Sequence, residues 1–477
     1  MIEKKIISTQ MTSNKRPDPR PQKILVAGGS GFIGSRLIKK LAADIHYHEP
    51  QSRAEILCLT RDPESIKDIF DEDIRLVKAD ISSYEDLARV MSEQIDIAYY
   101  LVHSMEGTSK QWKKFSERDR VAAINFAKVA SEYGVKRIIY LGGLIHVEED
   151  DDDDDKLSEH MRSRKEVGEI LQQRSSSKVT IFRAAVILGQ GGGSFQMLQY
   201  LVERLPVMIC PRWVLTKCQP IAVGDVVEYL ARCIEVKETE GKTFDIGGPD
   251  VLTYLDMMRK YAKILNKSVQ VIIIPFLTPR LSSYWVDLVT PVRASLARPL
   301  IDSLKHDATV QDDSIREVIP IQLKSFEEAV REARNEKAQS RQPNRIIKER
   351  STSKINSKLL MLSLLAMAAI GSTYYIIDGR PEIYHTNWIV LGTLWYLGIA
   401  FAIYFLRYGA RLGALTAGLL GWLTLTFWLI DNLYIVWGGT SVIASSPDET
   451  ITMRNFIGVG VAALVVATSH NLFHKLR

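Results

Sequence analysis

The sequence predicts a doubly wound parallel α/β domain with a small C-terminal lobe, followed by an α-helical transmembrane bundle. Three observations carry this prediction. A buried-strand pattern breaks into a glycine turn and then a helix at Lys23 to Leu41, KILVAGGSGFIGSRLIKKL. Strand-like and helix-like runs then alternate to about Leu265, an order that builds a parallel sheet. From Leu359 onward, long apolar runs dominate.

The composition supports this division. A chain of 477 residues exceeds one average domain. The net charge of +5 is modest and carries no nucleic-acid signature. Cys58, Cys210, Cys218 and Cys233 show neither metal-ligand spacing nor a disulfide framework, which points to buried thiols in a reducing compartment. Residues 1–22 are polar without an apolar h-region and read as a flexible N-terminal arm rather than a secretory signal. Residues 23–338 form the α/β domain, with its lobe mainly in 189–338. Residues 339–358 form a basic linker, and 359–477 the membrane part.

In the opening unit, Ile24 to Ala27 reads as the first strand, and Ile33, Leu37, Ile38 and Leu41 recur at helical spacing. Between them lies Gly28-Gly29-Ser30-Gly31-Phe32-Ile33-Gly34, spaced G-x-x-G-x-x-G. Gly28 allows a sharp turn, Gly31 lets backbone approach a pyrophosphate, and Gly34 lets helix and strand pack closely. The helix N-terminus offers N–H groups and partial positive charge to phosphates.

With this turn the sequence resembles the short-chain dehydrogenase/reductase superfamily, in its extended and atypical NmrA-like branch, over roughly Lys23 to Ala333. The resemblance implies a Rossmann fold and an NAD(P) cofactor held by the whole 28–34 turn. Glu55 to Arg61 is the second strand, and its end meets the adenosine ribose in such folds. Thr60 and Arg61 stand there in place of an acid. A cation can pair with a 2′-phosphate, so NADP(H) is preferred; Arg36 could assist, and Asp62 leaves NAD(H) open. The third strand, Ile74 to Ala79, leads to Asp80 and Ile81, which the resemblance puts beside the adenine. The fourth, Ile97 to Val102, leads to His103; Val102 and His103 fall where the family's backbone passes the cofactor.

Usual members carry a Ser after the fifth strand and a Tyr-x-x-x-Lys on the next helix. Here the strand Val135 to Leu141 runs into Gly142-Gly143-Leu144, and the helix reads LSEHMRSRKEVG from Leu157. Aligning Ser163-Arg164 with the family's Ser-Lys puts His160 at the Tyr position and Arg164 at the Lys position, four apart on one helix face. A His can serve as acid/base near neutral pH, whereas an Arg can hold a ribose or phosphate but cannot give up a proton. Two readings follow: a reductase with a changed proton donor, or a cofactor fold that has lost its catalytic set. The acidic run Glu148 to Asp155 reads as a solvated loop, and no metal site is expected.

Lys178 to Leu188 is the sixth strand, leading to a glycine-rich loop at Gly189 to Phe195 over the nicotinamide end. Asp225 reads as a helix N-cap. Thr243 to Pro249 resembles the late strand and turn of extended members, and an amphipathic helix follows over Leu252 to Leu265. Leu277 to Leu304, with Arg280, Arg293 and Arg298, reads as ordinary packing or as an apolar substrate wall with cations for an acidic headgroup.

Residues 359–377, 388–406, 412–430 and 456–472 are each apolar enough to read as spans. Leu433 to Ala444 is apolar but too short to cross, and reads as interfacial. Lys and Arg gather in the 339–358 linker, at Arg407 and Arg411, and at the C-terminus. Positive-inside logic therefore puts these and the nucleotide domain in the cytoplasm, as in an integral protein of a bacterial inner membrane. The linker suits contact with anionic lipid. The expectation is a membrane-anchored NADP(H)-dependent oxidoreductase acting on a lipophilic substrate such as a quinone, isoprenoid or lipid. A non-catalytic nucleotide sensor or assembly factor is the alternative, and a sugar or lipid-headgroup epimerase a second.

Overall fold

The computed structural model describes residues 21–48, 54–71, 73–102, 112–144, 158–204, 207–274, 301–303, 306–339, 343–376, 386–407, 411–436 and 449–475. His103, the acidic run at 148–155, nearly all of 277–304 and most of the N-terminal arm lie outside these residues.

Strands β1 (Lys23–Ala27), β2 (Glu55–Thr60), β3 (Ile74–Lys78), β4 (Ile97–Tyr100), β5 (Arg137–Gly143) and β6 (Lys178–Ala184) form one sheet with the strand Thr243–Ile246. The order across the sheet is Thr243–Ile246, β6, β5, β4, β1, β2, β3, and every pairing is parallel. The sequence reverses direction across β1, so β1 and β4 flank the switch point where such sheets bind ligands.

Both sheet faces are covered, which explains why β1 and β4 read as nearly continuous apolar runs. On one face, helix α1 (Gly34–His48) contributes Leu37, Ile38 and Leu41, and the helix Val223–Arg232 contributes Val226, Val227 and Leu230. On the other, helices α2 (Tyr84–Met91), α3 (Trp112–Glu132) and α4 (Glu159–Arg174) bury Leu87, Val90, Phe126, Val129 and Leu171. The lobe has its own core, built from helices Gly193–Arg204, Tyr254–Ile264 and Phe326–Gln339 around Phe195, Tyr261 and Phe326.

Three local expectations are corrected. The fifth strand continues through Gly142 and Gly143, because these pair with Arg183 and Ala184 of β6. The sixth strand ends at Ala184; Ile187–Leu188 leaves the sheet to pair with Ile221–Ala222 and enters the lobe. Asp225 is not an N-cap, since the cap is Ala222. Its buried carboxylate accepts the Lys324 N–H at 2.9 Å, clamping the approach to the Phe326–Gln339 helix, and burial pushes its pKa up to about 6.

Four helices, Pro343–Ile376, Thr386–Arg407, Arg411–Val436 and Glu449–Lys475, follow. Their apolar windows, Asn356–Thr373, Ile389–Arg407, Arg411–Ile430 and Phe456–His474, are long and apolar enough to cross a membrane. The basic stretch from Pro343 is helical and continuous with the first of them, so it is no separate coil; Pro343 suits a first helical position. Val436 ends the third helix, and the rest of the segment read as interfacial lies outside the described residues. Polar side chains pair inside the bundle: Trp395 Nε1 donates to Thr424 Oγ1 at 2.9 Å, and the Ser372 and Tyr396 hydroxyls lie 2.9 Å apart.

Candidate functional site

A cavity of about 310 Å³ opens at the carboxyl ends of the strands. One wall is the glycine turn, with Gly28, Gly31, Phe32, Ile33 and Gly34. Gly28 has φ +85°, and a Cβ there would lie 2.6 Å from the Leu101 carbonyl oxygen. A Cβ on Gly34 would lie 2.8 Å from Gly29 Cα. The turn closes through the Gly31 N–H on the Gly28 carbonyl at 3.0 Å. Gly29 is buried, while Ser30 and Gly31 are exposed. The helix that begins at Gly34 continues out of the turn, its Ser35 N–H donating to the Gly31 carbonyl at 3.0 Å and its Leu37 N–H to the Ile33 carbonyl at 2.9 Å. A close-packed turn with exposed Gly31 and a helix N-terminus is what a dinucleotide pyrophosphate requires, so these residues fit the cofactor.

The floor comes from Leu101 and Val102 after β4, from Leu141, Gly143 and Leu144 on β5, and from Ala184 to Ile187 after β6. Helix α4 supplies His160, Met161 and Arg164, so the expected pair does face the cavity. Ser158 starts this helix by accepting the Met161 N–H at 3.2 Å. Gly143 permits the helix to come close, because a Cβ there would lie 2.8 Å from Met161 Cε and 3.3 Å from Arg164 Cδ.

The electrostatics amend the expected role of His160. It is 7% exposed, and burial together with the neighbouring Arg164 charge lowers its pKa to about 3. Its imidazole is therefore neutral near pH 7 rather than a cation with a proton to discharge. Burial also lowers the Arg164 pKa, against the opposing pull of Tyr140 and Asp119. Arg164 Nε is buried without a hydrogen-bond partner among the described residues. Tyr140 on β5, not singled out in the sequence, borders the cavity and donates from its hydroxyl to the Arg164 carbonyl at 3.0 Å. Burial pushes its pKa up to about 12, which keeps it protonated.

The other proposed cofactor contacts lie outside the cavity lining. Arg61 is exposed just beyond β2. Asp80 is exposed and organises its own turn: its N–H donates to Asp86 Oδ2 at 2.8 Å, and its Oδ1 accepts the Ser82 N–H at 2.9 Å. Ile81 packs on the core beneath α2. Arg36 does not assist at the ribose. Its guanidinium donates to the Phe32 carbonyl at 3.0 Å and the Gln190 carbonyl at 2.9 Å, and pairs with Glu336 at 2.6 Å. It thereby ties the glycine turn to the second glycine loop and to the Phe326–Gln339 helix.

The opposite wall belongs to the lobe. Thr216, Lys217, Cys218, Tyr254, Ser303 and His306 line it. These residues come from separate segments, and no spacing in the sequence marks them. Burial pushes the Cys218 thiol up to about 12, which excludes it as a nucleophile at neutral pH. Among the described residues no cluster of three or more His, Cys, Asp or Glu could hold a metal ion.

Residues 24–247 match the model of the NAD dependent epimerase/dehydratase family. Among curated proteins, the auxiliary protein GraX of Staphylococcus aureus is 32% identical over 123 residues, which is 25% of this chain and 36% of that protein. The chloroplastic divinyl chlorophyllide a 8-vinyl-reductase of Cucumis sativus is 21% identical over 276 residues, 55% of this chain and 61% of that protein. This chain thus spans less than two thirds of either relative. Among solved structures, the epimerase Mth375 of Methanothermobacter thermautotrophicus shares the fold at a TM-score of 0.52 and 16% identity, covering 68% of this chain and 94% of that one. The glycine turn, the strand order and the family match agree: residues 24–247 of this chain form a Rossmann-type α/β domain that matches the NAD dependent epimerase/dehydratase family, an extended short-chain dehydrogenase/reductase pattern.

Proposed function

We propose that the chain is a membrane-anchored NADP(H)-dependent oxidoreductase that reduces or oxidises a lipophilic substrate such as a quinone, isoprenoid or lipid. One observation carries this reading: a single cavity joins the glycine turn, the His160–Arg164 face and the lobe wall. Phe405 and Leu412, from the facing ends of two membrane-type helices, pack against the lobe core, which brings the cavity's outer wall close to the bundle.

The 28–34 turn would hold the pyrophosphate, and Val102 with the Leu141–Leu144 segment would flank the nicotinamide. Bound there, the dinucleotide supplies hydride-transfer chemistry. Arg164 places a fixed positive charge beside the reacting region, which favours an oxygen gaining negative charge. His160 sets a neutral imidazole beside that region, so that the fixed cation there is Arg164. Arg61 favours NADP(H) by pairing with a 2′-phosphate, with NAD(H) the lesser ligand. The basic loop and linker positions favour a cytoplasmic α/β domain and C-terminus in a bacterial inner membrane.

The same site supports a second reading, an NAD(P)-binding sensor or assembly factor. The low pKa of His160 and the absence of a Tyr-x-x-x-Lys on α4 favour it. An epimerase would hold its cofactor with no net consumption. The test is NADPH oxidation by the purified full chain in lipid nanodiscs, with a decyl-substituted benzoquinone as acceptor. The oxidoreductase reading expects stoichiometric NADPH loss and quinol formation. Tight NADPH binding with no oxidation across quinone, isoprenoid and lipid carbonyl acceptors would favour the sensor.

A further inference from the structure

The far wall of the cavity carries a polar group that the reading above does not use. Tyr254 opens the helix Tyr254–Ile264, whose start is fixed by a capping box between Thr253 and Asp256. Its ring meets Trp213 edge-on, with centroids 5.5 Å apart, and is 1% exposed. It lines the cavity, yet its hydroxyl is buried without a hydrogen-bond partner among the described residues. Leaving such a group unpaired is costly, so it marks a place where a ligand completes the structure.

The surrounding charges indicate what that ligand offers. The cavity lining includes Arg164 and Lys217, and no Asp or Glu among the described residues. Burial keeps the neighbouring Cys218 and Cys210 thiols protonated. The wall thus provides donors and positive charge, and the ligand must bring the acceptor. Leu144, Met161, Val186 and Met197 give it an apolar bed.

The geometry points to Tyr254 as the anchor of the substrate: its hydroxyl donates to a carbonyl or carboxylate oxygen carried on an apolar body. This rests on the cavity being the substrate site of the proposed oxidoreductase. Equilibrium binding tests it without turnover. The full chain in nanodiscs, saturated with NADP+, is titrated with a decyl-substituted benzoquinone, with decanoate and with decylamine. At least one oxygen-bearing probe is expected to bind, and decylamine to bind tenfold or more weakly. The stronger of the first two identifies a neutral carbonyl or a carboxylate as the preferred acceptor. Tyr254→Phe keeps the ring and should weaken the oxygen-bearing probe roughly three- to tenfold, with NADP+ affinity unchanged. Unchanged probe binding in Tyr254→Phe, equal binding of decylamine, or no binding of either oxygen-bearing probe overturns the assignment. Tyr254-dependent binding with no NADPH oxidation would sink the oxidoreductase reading alone. Oxidation that proceeds equally in Tyr254→Phe would sink this assignment alone.

Discussion

Gly34→Ala is expected to weaken NADPH binding at least a hundredfold. The new Cβ would sit 2.8 Å from Gly29 Cα and 2.9 Å from the Gly28 carbonyl carbon, both backbone atoms that cannot swing aside. The helix must then move off the turn. That displaces both the N–H groups of the helix end and exposed Gly31 from the geometry a pyrophosphate needs. Overpacking of this kind also costs roughly 1–3 kcal/mol of stability. Fluorescence titration with NADPH reads the first effect and thermal unfolding the second. Retained affinity in a folded variant would show that the turn does not carry the dinucleotide.

The second large effect concerns His160 and acid. Its pKa in the folded chain is about 3, against an ordinary value of 6.5, because burial and the Arg164 charge both oppose protonation. A depressed histidine pKa favours folding above the unfolded value. As pH falls from about 6.5 towards about 3, the unfolded chain takes up a proton that the native chain refuses, and stability is lost. The slope for this one proton is about 1.4 kcal/mol per pH unit. His160→Gln should therefore flatten the decline in stability between pH 6 and pH 4 relative to wild type. Arg164→Met should flatten it partially, since burial remains. Chemical denaturation across this range measures both, and an unchanged slope in His160→Gln would place a normal, titrating imidazole at this position.

What the sequence made legible was local. The glycine turn left its mark because a positive φ and a backbone-to-backbone approach restrict residue type at Gly28 and Gly34 whatever lies elsewhere. The His160–Arg164 face was readable because a helix puts residues four apart on one side. Its protonation state was not, since the neutral imidazole results from burial beneath the sheet's carboxyl edge and from a cation one turn away. Arg36 illustrates the limit on long-range contacts: its partner Glu336 lies 300 residues further on, and no pattern near Arg36 announces it. The break at Ala184 was equally hidden, because the apolar run continues while the pairing partner changes from β5 to Ile221–Ala222. Tyr254 carried one usable signal, the Thr253–Asp256 capping box, which fixes the helix start but not the cavity it faces. The membrane-type helices were legible because length and apolarity define them without reference to any other segment.

The cavity is proposed as an NAD(P)H site whose preference Arg61 sets. The measurement that tests it most directly is titration of the full chain in nanodiscs with NADPH and NADH, repeated in Arg61→Ala. The prediction is saturable binding with NADPH tighter than NADH, and a selective loss of roughly tenfold for NADPH in the variant. Binding of neither nucleotide by the folded wild-type chain would contradict the account, and NADH binding as tight as NADPH would remove the role given to Arg61.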